Sequence, residues 1–186
     1  MKNKKLFYIL LTIFLVSAWI MVFLSFLSKS KPQENLNCIT SVEERTVRGD
    51  SLKGIVEPGQ TVNVFFSYYQ CNQPKKGDLV LVNYAGNDNP ILKIIKALPG
   101  DKFSLDQTSN GWNILVNGKK LKNSENKEYL INGKKSQMLY LYVKSYNNVI
   151  PANAYLVLGN LIGGSVDSTA FGLVSRNDII GKVEIK

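Results

Sequence analysis

The chain opens with one long apolar block and then changes rhythm. Leu6 to Leu27 (LFYILLTIFLVSAWIMVFLSFL) is 22 residues without a charge, preceded by MKNKK. At about 1.5 Å per residue a helix over this block is roughly 33 Å long, enough for a bilayer hydrocarbon layer of about 30 Å. The pattern therefore predicts a short terminus over 1–5 and a transmembrane helix over 6–27. A cleaved secretory leader has an apolar core of about 7–15 residues and ends in a small-x-small site. This block is longer, and SFLSKSKP lacks such a site, so the helix is expected to stay as an anchor.

Beyond it, Ser28 to Asn37 (SKSKPQENLN) is polar and carries a proline, which reads as a linker, taken here as 28–46. From Val47 the chain alternates short apolar runs with turn signals. The runs are TVNVFF, LVLVNY, ILKIIKAL, WNILVNGKKL, MLYLYV, AYLVLGN and IIGKVEI; PKKGD, AGNDNP and PGD punctuate the first of them. Runs of four to eight residues rich in Val, Ile, Leu and Tyr and bounded by Gly, Pro, Asn and Asp are strand signals, and few stretches here show a 3.6-residue apolar period. The expectation is a mainly β domain over 47–186, with an inserted β subregion around 105–150.

Composition narrows the chemistry. There is no histidine, which removes Ser/His/Asp and Cys/His catalysis together with most zinc sites. No metal and no cofactor is expected. The net charge of +9 suits an anionic lipid surface; the lysines are spread along the chain and no nucleic-acid-binding motif is present, so nucleic acid is not expected as a partner. Lys2, Lys4 and Lys5 face Lys29 and Lys31 across the apolar block, a small bias toward a cytoplasmic amino terminus. Cys38 and Cys71 would then lie on the outer side of the membrane, where two cysteines can pair as a disulfide.

One residue is out of place. Lys93 sits among Ile91, Leu92, Ile94 and Ile95, and an ammonium drawn toward an apolar interior needs a partner or a lowered pKa. On a strand, Ile91, Lys93 and Ile95 share one face, and Leu92, Ile94 and Lys96 share the other.

Set beside VRGDSLKGIVEPG (Val47 to Gly59) and GNLIGGSVDSTAFGLV (Gly159 to Val174), the stretch KIIKALPGD resembles the type I signal peptidases, membrane-bound Ser/Lys proteases. Their nucleophile lies in G-x-S-M-x-P-T-L, matched at Gly49, Asp50, Ser51 and Leu52. Their base stands six residues before the proline of K-R-x-x-G-x-P-G-D, as Lys93 stands before Pro99. A third segment, G-D-N-R-x-x-S-x-D-S-R-x-x-G, is matched at Gly159, Ser165, Asp167, Ser168 and Gly172. The likeness also takes in VNGKKL (Val116 to Leu121) and IPANAYLVLGN (Ile150 to Asn160).

The resemblance implies a signal-peptidase-like antiparallel β-sheet ectodomain behind one amino-terminal transmembrane helix, in the cell membrane with the catalytic domain extracytoplasmic. It implies Ser51 as nucleophile and Lys93 as base, the backbone amide of Ser51 beside Gly49 as oxyanion donor, Ser165 aiming the amine and Asp167 holding its loop. Preproteins would bind as an extended strand over Val47, Leu52, Ile91 and Leu92 and be cut after small residues, near the secretion translocon. FFSYY (Phe65 to Tyr69) is read either as an aromatic dip into the membrane interface or as a buried strand.

The departures are Leu52 for methionine, Gly54 for proline, Ile55 for threonine, Asn160 for the acid and Thr169 for the arginine. They leave two alternatives: a dedicated pilin or conjugation-protein maturation peptidase of the same chemistry, and a non-enzymatic envelope adaptor on the same scaffold.

Overall fold

The computed structural model of the chain describes residues 2–27, 34–84 and 89–186. The start of the expected linker, with Lys29 and Lys31, and the first four residues of the AGNDNP turn lie outside the described residues. The chain divides into two units, Met1–Glu34 and Asn35–Lys186.

The first unit is a helix, α1 (Lys2–Leu27). Side chains in it are described for Lys4, Tyr8 and the stretch from Leu11 to Phe23. Among the described residues no helix is long and apolar enough to cross a membrane.

The second unit is built on antiparallel sheets. Its strands are β1 (Val42–Thr46), β2 (Thr61–Phe66), β3 (Leu79–Val82), β4 (Ile91–Ala97), β5 (Phe103–Thr108), β6 (Gly111–Val116), β7 (Lys119–Lys120), β8 (Leu130–Ile131), β9 (Ala154–Leu158), β10 (Val174–Ser175) and β11 (Ile179–Ile185). A seven-stranded sheet runs β1-β2-β11-β3-β4-β9-β10, and a four-stranded sheet runs β5-β6-β7 with β8 also on β6. Each described pairing is antiparallel. The β6–β7 hairpin turns on Asn117 and Gly118, both at positive φ, the backbone that a two-residue Asn-Gly turn needs.

The central strands of the large sheet, β3, β4 and β9, are apolar on both faces, which is why they read as continuous runs rather than as alternating ones. Ile95, Val80 and Val82 pack in one cluster with Tyr155 and Val157. Ile94 and Leu81 pack in another with Val47, Leu52, Val56, Val62 and Val64. A third cluster joins Leu156 and Leu158 to Phe103, Ile114 and Val116 of the small sheet.

One sequence reading changes and one open reading is decided. The inserted region is not wholly β, because MLYLYV belongs to a helix, α2 (Gly133–Ser145), with Ser136, Leu139 and Val143 buried. Those positions follow the 3.6-residue period, but exposed Tyr140 and Leu141 fill the gaps between them and make the run look like a strand. FFSYY does not offer its tyrosines to a membrane either: Tyr68 and Tyr69 are buried in the core. Cys38 and Cys71 are joined by a disulfide with Cα atoms 6.1 Å apart.

Candidate active site

Three elements converge. The first is the turn after Gly49, held by Lys53 N–H donating to Asp50 O (2.9 Å) and by Ile55 and Val56 N–H donating to Leu52 O (2.9 and 3.0 Å). Leu52 and Val56 are fully buried and pin this turn to the core, while Ser51 between Asp50 and Leu52 stays half-buried. The second is β4, whose Lys93 pairs with Val80 on the neighbouring strand. The third is the segment from Gly159 to α3 (Ser168–Phe171).

Lys93 is only 3% exposed. Its Nζ donates to Leu92 O at 2.7 Å and lies 3.1 Å from Ser51 Oγ. Burial drives its pKa from the ordinary 10.5 down to about 8, and the nearby charge of Asp167 offsets part of that fall. Desolvation penalises the ammonium and leaves the neutral amine alone, so it dominates here. The site thus holds a lysine with an accessible neutral form beside a serine hydroxyl.

The loop from Gly159 wraps the other side. Ser51 O accepts from Asn160 N–H (2.7 Å) and Leu161 N–H (3.0 Å). A Cβ on residue 159 would fall 2.8 Å from Ser51 O and would overlap the Ser165 side chain, so only glycine lets the two segments approach this closely. Asp167 caps α3: its carboxylate accepts from Thr169 N–H (3.0 Å), from Thr169 Oγ1 (2.7 Å) and from Gly159 N–H (3.0 Å). Thr169 stands where the motif has arginine, and from its buried position both its N–H and its hydroxyl donate to the Asp167 carboxylate. Ser165 Oγ is buried and, among the described residues, has no hydrogen-bond partner; the bond to the lysine amine expected for it is not made here.

Val47, Gly49, Ser51, Leu52, Ile91, Leu92 and Lys93 all line one cleft of about 810 Å³. Along it lies β1, an edge strand with every residue exposed. The dyad and the substrate-contact residues named from sequence therefore share one cleft, while Ser165 and Asp167 are not among the residues that line it.

Three contacts were not foreseen. Tyr129 donates its hydroxyl to Gly159 O at 2.6 Å, and burial first, then Asp167, pushes its pKa up. Ser168 Oγ accepts from Val157 N–H at 2.9 Å. Asn160 bonds to both Lys53 and Ser124. Of these residues the third segment singles out two, Ser168 as a match to the motif and Asn160 as a departure from it. Among the described residues no group of His, Cys, Asp and Glu could hold a metal ion.

The chain is similar to proteins of known family. The family model described as "Signal peptidase, peptidase S26" matches residues 5–186. Signal peptidase IB of Staphylococcus aureus (strain N315) is 33% identical over 152 residues, 76% of this chain and 75% of the relative. Signal peptidase I P of Bacillus subtilis subsp. natto is 30% identical over 149 residues, 77% and 75% respectively. The crystal structure of a signal peptidase I from Enterococcus faecalis V583 is 21% identical, covering 60% of this chain and 97% of that one, with a TM-score of 0.43. With a match over nearly its whole length and the cleft lined as described, the chain belongs to the signal peptidase, peptidase S26, family.

Proposed function

We propose that this protein is a membrane-tethered serine endopeptidase that removes signal peptides from exported preproteins with a Ser51/Lys93 dyad. The observation that carries the reading is the 3.1 Å approach of a desolvated lysine, pKa about 8, to Ser51 Oγ. A serine hydroxyl is a weak nucleophile until a base takes its proton, and in a chain without histidine Lys93 is the group placed to do so.

In the neutral amine the lone pair of Nζ accepts the Ser51 proton as Oγ attacks the scissile carbonyl carbon. The Ser51 N–H, with Gly49 two residues before it, supports the oxyanion. Collapse breaks the C–N bond, the ammonium of Lys93 returns the proton to the leaving amine, and an ester to Ser51 remains. Water then attacks that ester with Lys93 again as base. The neutral amine has two N–H donors: Leu92 O takes one, and the buried hydroxyl of Ser165 is the group left to receive the other and aim the lone pair. Asp167 holds the loop that carries Ser165.

Substrate lies as an extended strand in the cleft along β1, where backbone pairing supplies affinity and Val47, Leu52, Ile91 and Leu92 favour small side chains. Helix α1 serves as the anchor, with the amino terminus cytoplasmic and residues from 47 onward outside, so that the cleft meets preproteins as they leave the translocon. The test is cleavage of a panel of preproteins by wild type, Ser51→Ala and Lys93→Arg. Cutting of ordinary preproteins by wild type alone is expected. Cutting of a single pilin-like substrate would favour a dedicated maturation peptidase, and cutting by either variant would sink the dyad.

A further inference from the structure

Two of the departures from the motif, Gly54 and Asn160, touch each other. A Cβ on residue 54 would lie 3.2 Å from Asn160 Nδ2. Gly54 has φ +85°, which proline cannot adopt, and its N–H donates to Glu57 Oε1 at 2.9 Å, which proline cannot do. Asn160, 1% exposed, uses its whole side chain. Nδ2 donates to Lys53 O and to Ser124 Oγ, both at 2.7 Å, and Oδ1 accepts from Ser124 N–H at 2.9 Å. Its backbone N–H holds Ser51 O, and its own carbonyl accepts from Asn123 Nδ2 at 3.2 Å.

We propose that Asn160 is a positioning residue for the nucleophile: it ties the Ser51 turn to the Asn123–Ser124 turn of the small sheet, and Gly54 provides the space and backbone conformation that this tie requires. An acid at 160, as the motif has, could not do the same work. A carboxylate oxygen in place of Nδ2 would face Lys53 O with no proton between them, so the turn carrying Ser51 would be pushed away rather than held. The small sheet is then part of the catalytic apparatus, reaching the nucleophile through Ser124 and through Tyr129 on the adjoining Gly159 carbonyl. The inference rests on Ser51 being the nucleophile.

The experiment uses the full chain in detergent, a signal-peptide-derived peptide as substrate, and a lactam acylating agent that counts competent sites by labelling Ser51. Asn160→Asp is expected to lower kcat per labelled site at least tenfold, with KM changed less than twofold. Ser124→Ala, on an exposed turn, is expected to lower it about threefold, and to have no further effect when added to Asn160→Asp, because both act through one hydrogen bond. Asn160→Asp turning over at the wild-type rate per titratable site would show a role in folding only and overturn the proposal. So would Ser124→Ala within 1.5-fold of wild type, which decides the matter if Asn160→Asp does not fold. Failure to label Ser51 in the wild type would instead overturn the dyad on which the proposal stands.

Discussion

Strand β4 carries a lysine toward each end, and their surroundings separate chemistry from structure. Lys93 is almost wholly buried against Ser51 Oγ and Leu92 O. Lys96 is half-buried, donates to Lys122 O at 3.2 Å and lies over the Tyr129 ring at 5.2 Å from its centroid. Burial lowers the pKa of both. A lowered pKa is therefore not what distinguishes a base. Lys93 differs because its amine faces a hydroxyl at the wall of a cleft, whereas Lys96 faces a carbonyl and an aromatic ring, partners that prefer it charged.

The sharpest way to break this comparison is to change both lysines alike. Lys93→Arg should cut kcat by about 10²–10⁴-fold, since a guanidinium stays protonated and cannot act as base. Lys96→Arg should stay within about threefold of wild type, because it keeps a charge over a ring and a donor for a carbonyl. Peptide cleavage assays of the two folded variants check this, and equal losses would erase the distinction drawn between the two positions.

Next in size is the pH profile. The active form is the neutral amine, so log kcat/KM should rise with unit slope below pH 8 and level off near the Lys93 pKa of about 8. Between pH 6 and pH 8 the neutral fraction grows by about 50-fold. Lys96→Met should trace the same curve. A plateau that moves with Lys96 would mean that the wrong lysine is being titrated.

Stability should follow with the opposite sign from an ion pair. The folded state holds Lys93 at about 8 against an ordinary 10.5, so between these values the unfolded chain binds more protons and wild-type stability rises with pH. Below pH 8 the full penalty applies. Lys93→Met, of similar length and without the charge, should therefore be more stable than wild type at pH 7 by about 3 kcal/mol, and the difference should vanish toward pH 10.5. Denaturant unfolding at the two pH values measures it. The smallest effect is expected at the other lysine: Lys96→Met loses a cation–π contact and a hydrogen bond but also sheds the desolvation that lowers its pKa, so its stability should stay within about 1 kcal/mol of wild type.

Much of this was legible in the order of residues. The strands β2, β3, β4, β9 and β11 coincide closely with apolar runs bounded by turn residues: β3, β4 and β9 are buried on both faces and need little more than β-favouring side chains in a row, while β2 and β11 alternate buried and more exposed positions. Helix α2 was hidden because its exposed Tyr140 and Leu141 blur the periodicity that its buried residues keep. FFSYY was ambiguous because aromatics suit an interface and a core equally, and only the packing of Tyr68 and Tyr69 against the sheet chooses between them. Among the candidate residues, the spacing of Lys93 to Pro99 and of Gly159 to Asp167 marks the positions that meet. It does not show that Ser165 Oγ goes unpaired or that Thr169 takes the arginine's place beside Asp167.

By itself the sequence determined which groups exist to do chemistry: no imidazole, a serine two positions after a glycine in VRGDSLKG, and a lysine set where an ammonium is disfavoured. Those are local facts, since residue type and strand periodicity act over a few positions. Only the tertiary structure decided that Ser51 and Lys93, 42 residues apart, lie 3.1 Å from each other, and that Asn160 closes a hydrogen-bonded tie to Lys53 and Ser124. Hydrogen bonds form or fail over a few tenths of an ångström. That precision comes from the joint packing of the Ser51 turn, β4 and the Gly159 loop, which no short stretch of the chain contains.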